Sequence, residues 1–276
     1  MKRLFPFALA LLVGFSLSAG IFNTNLVVNG DAEAGAGSAS GNDIEVVPGW
    51  TTTGNFTVSL YGNASGIPTN IPGPLNRGTN LFNGGPNTAL SSAWQTINLS
   101  SASPEIDAGM VVAELTGWLG GWSSQDDNAV LTAKFTDGVS PNVLGTMTVG
   151  PVLASDRTNV TALLFRAQTN TLPVGTRQAL ITLTMTREQG SYDDGSADDI
   201  SFVLRTPQPS LSVQGGSSVV VSWPASAAGW QLQATASLSN NASWTNVSPP
   251  YQTNASQIQW PVPSPGGSQF YRLQLP

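Results

Sequence analysis

The residues in this sequence most able to do chemistry are four carboxylates that fall within seven positions. Asp193 and Asp194 are separated from Asp198 and Asp199 by a Gly-Ser-Ala tripeptide. Carboxylates this close repel one another unless water solvates them or they share a cation, and Ca²⁺ prefers several hard oxygen ligands in a flexible loop. The spacing therefore indicates either a solvated turn or a metal site, and the residues alone leave both open.

Aromatic rings and carboxylates also occur together in the segment from Leu115 to Asn128, which is rich in glycine. An aromatic ring can stack on the apolar face of a sugar, while polar groups bond its hydroxyls. We therefore predict Trp118, Trp122, Asp126 and Asp127 as ligand contacts. Trp is usually a core residue in β-sandwich proteins, and this alternative is stronger for Trp118, which follows a strand pattern, than for Trp122.

Four further residues have plausible structural or functional roles. Tyr192 lies beside the acidic cluster and is predicted to supply another stacking ring. Trp50, in a Pro-Gly-Trp segment, and Trp94, at the start of a strand pattern, are predicted to pack in the core. Arg157 follows an aspartate, and a surface ion pair is the simplest expectation for it.

Two residue types are absent, and their absence restricts catalysis. The chain has no Cys and no His, which excludes Ser-His-Asp triads, cysteine nucleophiles and His-ligated zinc. The remaining route is a pair of carboxylates facing each other across a cleft, as in glycoside hydrolysis. Glu114, Asp126 and Asp127 are the candidates, but nothing in their spacing brings them together. We therefore predict that the protein is not an enzyme.

Strands rather than helices must position these residues. Ile181, Leu183 and Met185 alternate with threonines, as in a strand with one buried face. Similar runs occur at Val130–Phe135 and Ile200–Leu204, and Gly-, Pro- and Asn-rich segments separate them. Short strands with long polar connections predict an all-β fold, a two-sheet jelly-roll β-sandwich.

Two segments resemble the "NGDFE … DDISL" bracket of galactose-binding-like jelly-roll domains, a fold of many secreted carbohydrate-binding modules. The first is Asn25–Gly35 (NLVVNGDAEAG), and the second is Ala197–Leu204 (ADDISFVL). The resemblance implies a jelly roll over residues 23–205 that binds a carbohydrate polymer or glycan.

The same resemblance implies a structural Ca²⁺ held between the first and last strands. Glu33 and Asp199 are then the expected carboxylate ligands, with a backbone oxygen from Gly30 or Asp31. Asp198 is a weaker candidate. The implied metal site therefore comprises Asp31, Glu33, Asp198 and Asp199.

A sharp change in composition marks a second domain. All sixteen carboxylates precede Pro207, and Arg272 is the only charged residue after it. Two prolines near that point discourage strand pairing, so residues 206–212 are predicted to form a linker. Residues 213–276 show period-two strand patterns and resemble small fibronectin-type-III-like or Ig-like sandwiches, which could contact a protein partner.

The first twenty residues predict export. A basic pair, Lys2 and Arg3, precedes an apolar stretch and small residues, which is the pattern of a secretory signal peptide over residues 1–20. The expected location is extracellular, with the periplasm or cell surface as alternatives. The mature chain contains no apolar run long enough to insert in a membrane. The full sequence has a net charge of −6, which makes a nucleic-acid partner unfavourable.

Three functions follow from these features. The preferred hypothesis is a secreted, non-catalytic carbohydrate-binding protein with a structural calcium ion. The second is a structural or adhesive surface protein that binds no glycan. The third is a polysaccharide-cleaving enzyme.

Overall fold

The computed structural model describes residues 21–62, 68, 72–139, 142–206, 209–215, 218–227, 229–238, 243–263 and 267–274. The chain divides into two units, one formed by Ser18–Thr206 and the other by the chain from Pro207 onward. The predicted signal peptide lies outside the described residues. Within the described part of the chain, no helix is long and apolar enough to cross a membrane.

The first unit is built from strands, with one short α-helix, α1 (Ser103–Asp107), among its described residues. Its strands are β1 (Thr51–Thr53), β2 (Thr57–Leu60), β3 (Asn80–Pro86), β4 (Leu90–Asn98), β5 (Val112–Gly121), β6 (Asn128–Thr136), β7 (Gly145–Val149), β8 (Ala162–Thr171), β9 (Gln178–Thr186) and β10 (Tyr192–Arg205).

These strands form two five-stranded antiparallel sheets. Sheet I has the order β1-β4-β9-β6-β7, and sheet II has the order β2-β3-β10-β5-β8. Their inner faces pack together: the ring centroids of Phe135 in sheet I and Phe202 in sheet II are 6.0 Å apart. Leu115, Leu131 and Ile181 are fully buried. The structure therefore confirms the predicted all-β sandwich.

The alternation in β9 shows why this sequence forms sheet I. Ile181, Leu183 and Met185 are fully buried, whereas the threonines between them are half-buried. Successive side chains on a strand point to opposite faces, so the apolar set enters the core and the threonines face outward.

The segment after residue 20 runs beside β10 and joins the two predicted end segments. The Asn25 side chain donates to the carbonyl of Ile200 and accepts from the amide of Phe202. The amide of Ile200 donates to the carbonyl of Gly30 over 2.7 Å. A Cβ at Gly30 would lie 2.1 Å from the Ile200 oxygen, so only glycine permits this approach.

The second unit contains two smaller antiparallel sheets with their own core. Its strands are β11 (Ser212–Gln214), β12 (Val220–Pro224), β13 (Gln231–Thr235), β14 (Thr245–Asn246), β15 (Gln252–Thr253), β16 (Gln257–Pro261) and β17 (Phe270–Gln274). The sheets have the orders β11-β12-β16-β15 and β14-β13-β17. Trp223, Leu232 and Ile258 belong to the core. The fibronectin-type-III-like or Ig-like assignment stays a prediction.

Candidate functional site

Hydroxyl groups cover much of the outer face of sheet I. One row of paired residues crosses all five strands, and its members face away from the core: Thr51, Trp94, Thr182, Thr132 and Thr148. Opposite residues on antiparallel strands share a face and have neighbouring side chains. Each member of this row is half-buried or exposed, so the row is an accessible line of four hydroxyls with one indole ring.

Trp94 was predicted to lie in the core, and that prediction was wrong. Its neighbour Ala93 is fully buried, whereas Trp94 is half-buried on the outer face with Ser92 and Thr96. The parity of the strand decides this: the small residues of β4 point inward, and the polar residues share the face of Trp94. Polar residues two positions before and after the Trp were the sequence signal for its placement.

A polar pocket of about 380 Å³ lies at one end of this outer face. It is lined by Asp126, Asn128, Leu153, Glu188 and Gln189. Asn128 pairs with the last residue of β9 and stands four residues before Thr132 on β6, a separation of roughly 13 Å at 3.3 Å per residue. The predicted ligand residue Asp126 is exposed here, and its Oδ1 accepts from the amide of Ala154.

Arg157 holds the loop between β5 and β6 from inside the protein. Its side chain is buried, with 2% of the residue exposed. The guanidinium donates to the carbonyls of Ser123, Gln125 and Val160. Burial lowers its pKa, while four nearby aspartates favour the charged form. The expected surface ion pair was therefore wrong; Asp156 instead pairs with Arg166.

Asp127 is a structural residue in the same loop. It is fully buried. One carboxylate oxygen accepts from the amides of Glu188 and Gln189, and the other from the amide of Asp194. These bonds tie the β5–β6 loop to the β9–β10 connection. A surface ligand cannot reach this carboxylate, so the geometry does not support its predicted role in sugar contact.

The two predicted Trp contacts lie in different settings. Trp122 is half-buried in the loop that Arg157 holds. Trp118 is half-buried on β5 and pairs in register with Phe165 on β8. Those two rings are 5.7 Å apart at 60°, and Phe165 is 50% exposed. Trp118 therefore belongs to the outer face of sheet II, on the opposite side of the sandwich from Trp94.

The acidic cluster is part of β10 rather than a solvated turn. Asp193 and Asp198 are fully buried and Asp194 is 8% exposed. Burial, more than any other cause, raises the pKa of Asp193 and of Asp194 to about 7. Tyr192 is half-buried, donates to the carbonyl of Gly41, and has a pKa raised by burial to about 12. The chain that precedes β1 covers this end of the sheet, which sequence spacing did not reveal.

Two of the implied metal ligands are engaged in protein hydrogen bonds. The Glu33 carboxylate accepts from the amides of Thr79 and Asn80 and from the Thr79 hydroxyl. The Asp198 carboxylate accepts from the Tyr61 hydroxyl and from the Asp199 amide. Burial, the largest cause, raises the pKa of Asp198 to about 8.

The other two implied ligands share a pocket. Asp31 and Asp199 line a polar cavity of about 330 Å³, together with Asn25, Asn29 and Gly30. Burial and the nearby Asp31 raise the pKa of Asp199. Across the residues that the structure describes, no group of three or more His, Cys, Asp or Glu side chains is placed to hold a metal ion. A cation in this pocket would therefore also need backbone or amide oxygens.

No protein-family model and no curated protein sequence matches this chain. Solved structures similar to it include the enzymatically active domain of tailspike protein 4 of bacteriophage CBA120, at 19% identity and a TM-score of 0.40 over 66% of this chain. A family 16 carbohydrate-binding module is 18% identical with a TM-score of 0.39, covering 65% of this chain and 99% of the module.

The CBM22-1 and GH10 modules of Clostridium thermocellum xylanase 10B, complexed with xylohexaose, are 12% identical with a TM-score of 0.36 over 66% of this chain. The chain spans only 21% of the tailspike chain and 28% of the xylanase chain. Likenesses this remote carry no argument about what the chain binds.

Proposed function

We propose that the first unit is a non-catalytic carbohydrate-binding domain and that a polysaccharide lies along the outer face of sheet I. The observation that carries the proposal is the row across five strands, with Trp94 among four threonines. The ring offers an apolar platform for a sugar face, and the hydroxyls both donate and accept hydrogen bonds.

The rigidity of the sheet favours this face over the loops. Trp94 stands on β4, which pairs with β1 on one side and β9 on the other, so binding orders little of the protein and loses little entropy. The pocket beside Asp126 and Asn128 extends the face with amide and carboxylate groups. Together they form a polar surface suited to several sugar units.

The test is a glycan array followed by titration of the best polymer. A single aromatic platform implies micromolar to millimolar affinity, about −8 to −4 kcal/mol. Trp94→Ala should weaken binding by about 2 kcal/mol, roughly thirtyfold. Trp118→Ala, on sheet II, and Trp122→Ala, in the loop, are the matched controls. Binding that survives Trp94→Ala but is lost with Trp122→Ala would move the site to the loop.

An adhesive role without glycan is the second candidate function, and one observation favours it. Phe165, half exposed beside Trp118, offers an apolar contact to a protein partner on the outer face of sheet II. If the array shows no glycan and Phe165→Ser abolishes attachment to a surface protein, the adhesive hypothesis replaces the first.

Calcium is the second part of the proposal, with Asp31 and Asp199 as carboxylate ligands. Two like charges at one polar pocket are stabilised by a cation; burial raises the pKa of Asp199, and the nearby Asp31 adds to that rise. Chelation should lower the melting temperature by several degrees. Asp199→Asn should remove that sensitivity, and Asn tolerates the φ of 48° at this position. A melting curve indifferent to chelator and added calcium contradicts the site.

We also propose that the protein is not an enzyme. Glu114 is paired with Arg205 at 2.7 Å on sheet II, Asp127 is buried, and Asp126 lines the pocket at sheet I. These three candidates therefore do not form the facing pair of carboxylates that glycoside hydrolysis requires. Release of reducing ends from any bound polymer would overturn this part of the proposal.

Secretion is proposed from residues 1–20. Expression of the full chain in a bacterial host should yield a protein whose N-terminal residue lies near position 20. Retention of Met1 on an exported or cytosolic product would contradict the signal peptide.

A further inference from the structure

The outer face of the sheet β14-β13-β17 in the second unit carries a fixed cation. Asn246, Gln233 and Arg272 form one in-register row across the three strands. The inward neighbours Leu232 and Leu273 pack in or against the core of the unit, so the row faces away from that core. Arg272 is exposed.

Two contacts hold the guanidinium of Arg272 in place. Its central carbon lies 4.4 Å from the centroid of the Trp244 ring, which is a cation–π contact. Its Nε donates to Oε1 of Gln233 over 2.8 Å. The amide nitrogen of Gln233 donates in turn to Oδ1 of Asn246 over 2.8 Å. These hydrogen bonds orient the guanidinium through its Nε atom, so a ligand would be bound by the terminal Nη groups.

Arg272 has no acidic side chain in its own unit to pair with. From Pro207 onward the sequence contains no Asp or Glu, so no acidic side chain of this unit competes for the guanidinium. A planar guanidinium binds carboxylate and sulfate groups through two parallel hydrogen bonds, and prior orientation reduces the entropy lost on binding.

We propose that this face of the second unit binds an anionic polysaccharide, with Arg272 clamping a carboxylate or sulfate ester. Gln231 lies beside Gln233 on the same face, and its amide, with that of Asn246, can bond neighbouring hydroxyls. The partner is assigned from charge complementarity and from these amides. This site is separate from the face of sheet I and does not depend on the function proposed for it.

The experiment compares three polymers binding to the full chain: polygalacturonate, which carries carboxylates, a sulfated galactan, and neutral dextran. The chain should bind one or both anionic polymers, more weakly as salt rises, and should not bind dextran through this site. The polymer that is retained identifies the anion.

Arg272→Gln should weaken that binding at least tenfold, the loss expected for a charge-assisted hydrogen bond. Arg272→Lys keeps the charge but loses the planar guanidinium that makes two parallel hydrogen bonds, so it should lose part of the binding. It serves as a second variant if Arg272→Gln does not fold. Arg205→Gln is the control, because it removes an exposed arginine from the first unit. Equal binding by wild type and both Arg272 variants, or no anionic binding at all, overturns the proposal.

Trp94→Ala separates this site from the one on sheet I. It should leave anionic binding unchanged, whatever it does to neutral polymers. Loss of anionic binding in Trp94→Ala, with retention in Arg272→Gln, would place the anion on sheet I instead and overturn the assignment.

Discussion

Replacing Arg157 with Met should destabilise the first unit and loosen the loop between β5 and β6. The arginine is 2% exposed, and its guanidinium satisfies the carbonyls of Ser123, Gln125 and Val160. Methionine fills much of the same volume but donates no hydrogen bond. Three carbonyls then lose their partners inside the protein.

The size of the effect follows from two opposing contributions. Each unsatisfied buried group costs about 1–3 kcal/mol, which places the gross loss for three carbonyls at about 3–9 kcal/mol. Removing a buried charge recovers part of its desolvation cost, a cost that already lowers the pKa of Arg157. We expect a net loss of about 2–4 kcal/mol, which for a unit of this size lowers the melting temperature by roughly 5–15 °C.

Thermal unfolding followed by circular dichroism measures this change. Arg157→Lys keeps the charge but cannot reach three carbonyls at once, so its loss should be intermediate. Arg166→Met removes an arginine from an exposed ion pair with Asp156 at 3.6 Å, and its effect should be under 1 kcal/mol. If Arg157→Met melts within a degree of the wild type, the carbonyls are satisfied in another way and this account of the loop is wrong.

Three further predictions follow from the first unit and its boundary. Burial raises the pKa values of Asp193 and Asp194 to about 7, so the folded state keeps protons that the unfolded state releases near pH 4. The free energy of unfolding should therefore fall as pH rises from about 4 to about 7. Asp193→Asn should flatten a plot of melting temperature against pH. A stability that instead rises across that window contradicts the burial argument. Asp127→Ala leaves three backbone amides without an acceptor and should lower the free energy of unfolding by about 3 kcal/mol or more. Asp126→Ala, at an exposed residue, should lower it by under 1 kcal/mol. Equal urea midpoints for the two variants would refute the structural role of Asp127. Limited proteolysis should cut between residues 207 and 217, where the chain divides, and mass spectrometry of the fragments would show a different boundary if the first cut fell inside residues 23–205.

The alternation of apolar and polar residues was enough to predict much of the fold. The alternation around Ile181 and Leu183 correctly indicated a strand with one buried face, and Trp50 packs as expected, 9% exposed with its ring 5.6 Å from that of Phe82. These inferences succeed because side-chain direction on a strand depends only on position along the chain. The same rule, applied to the polar neighbours of Trp94, would also have placed that ring on the outer face.

The environment of the charged residues required the tertiary structure. Asp127 and Arg157 look like surface residues in the sequence, but both are buried. Asp127 accepts from backbone amides 61 to 67 positions away, and Arg157 donates to Ser123 and Gln125, more than 30 positions away. No local pattern encodes such pairings, because backbone amides and carbonyls are the same in every residue.

The sequence by itself determined the all-β class, several of its strands and the absence of Cys and His chemistry, since these follow from residue type and short-range alternation. What the tertiary structure decided is which polar residues are accessible. It buried Asp193 and Asp198 within the first unit and left Trp94 on a threonine face. The physical reason is that burial of a polar group depends on partners contributed by distant segments, and only folding brings those segments together.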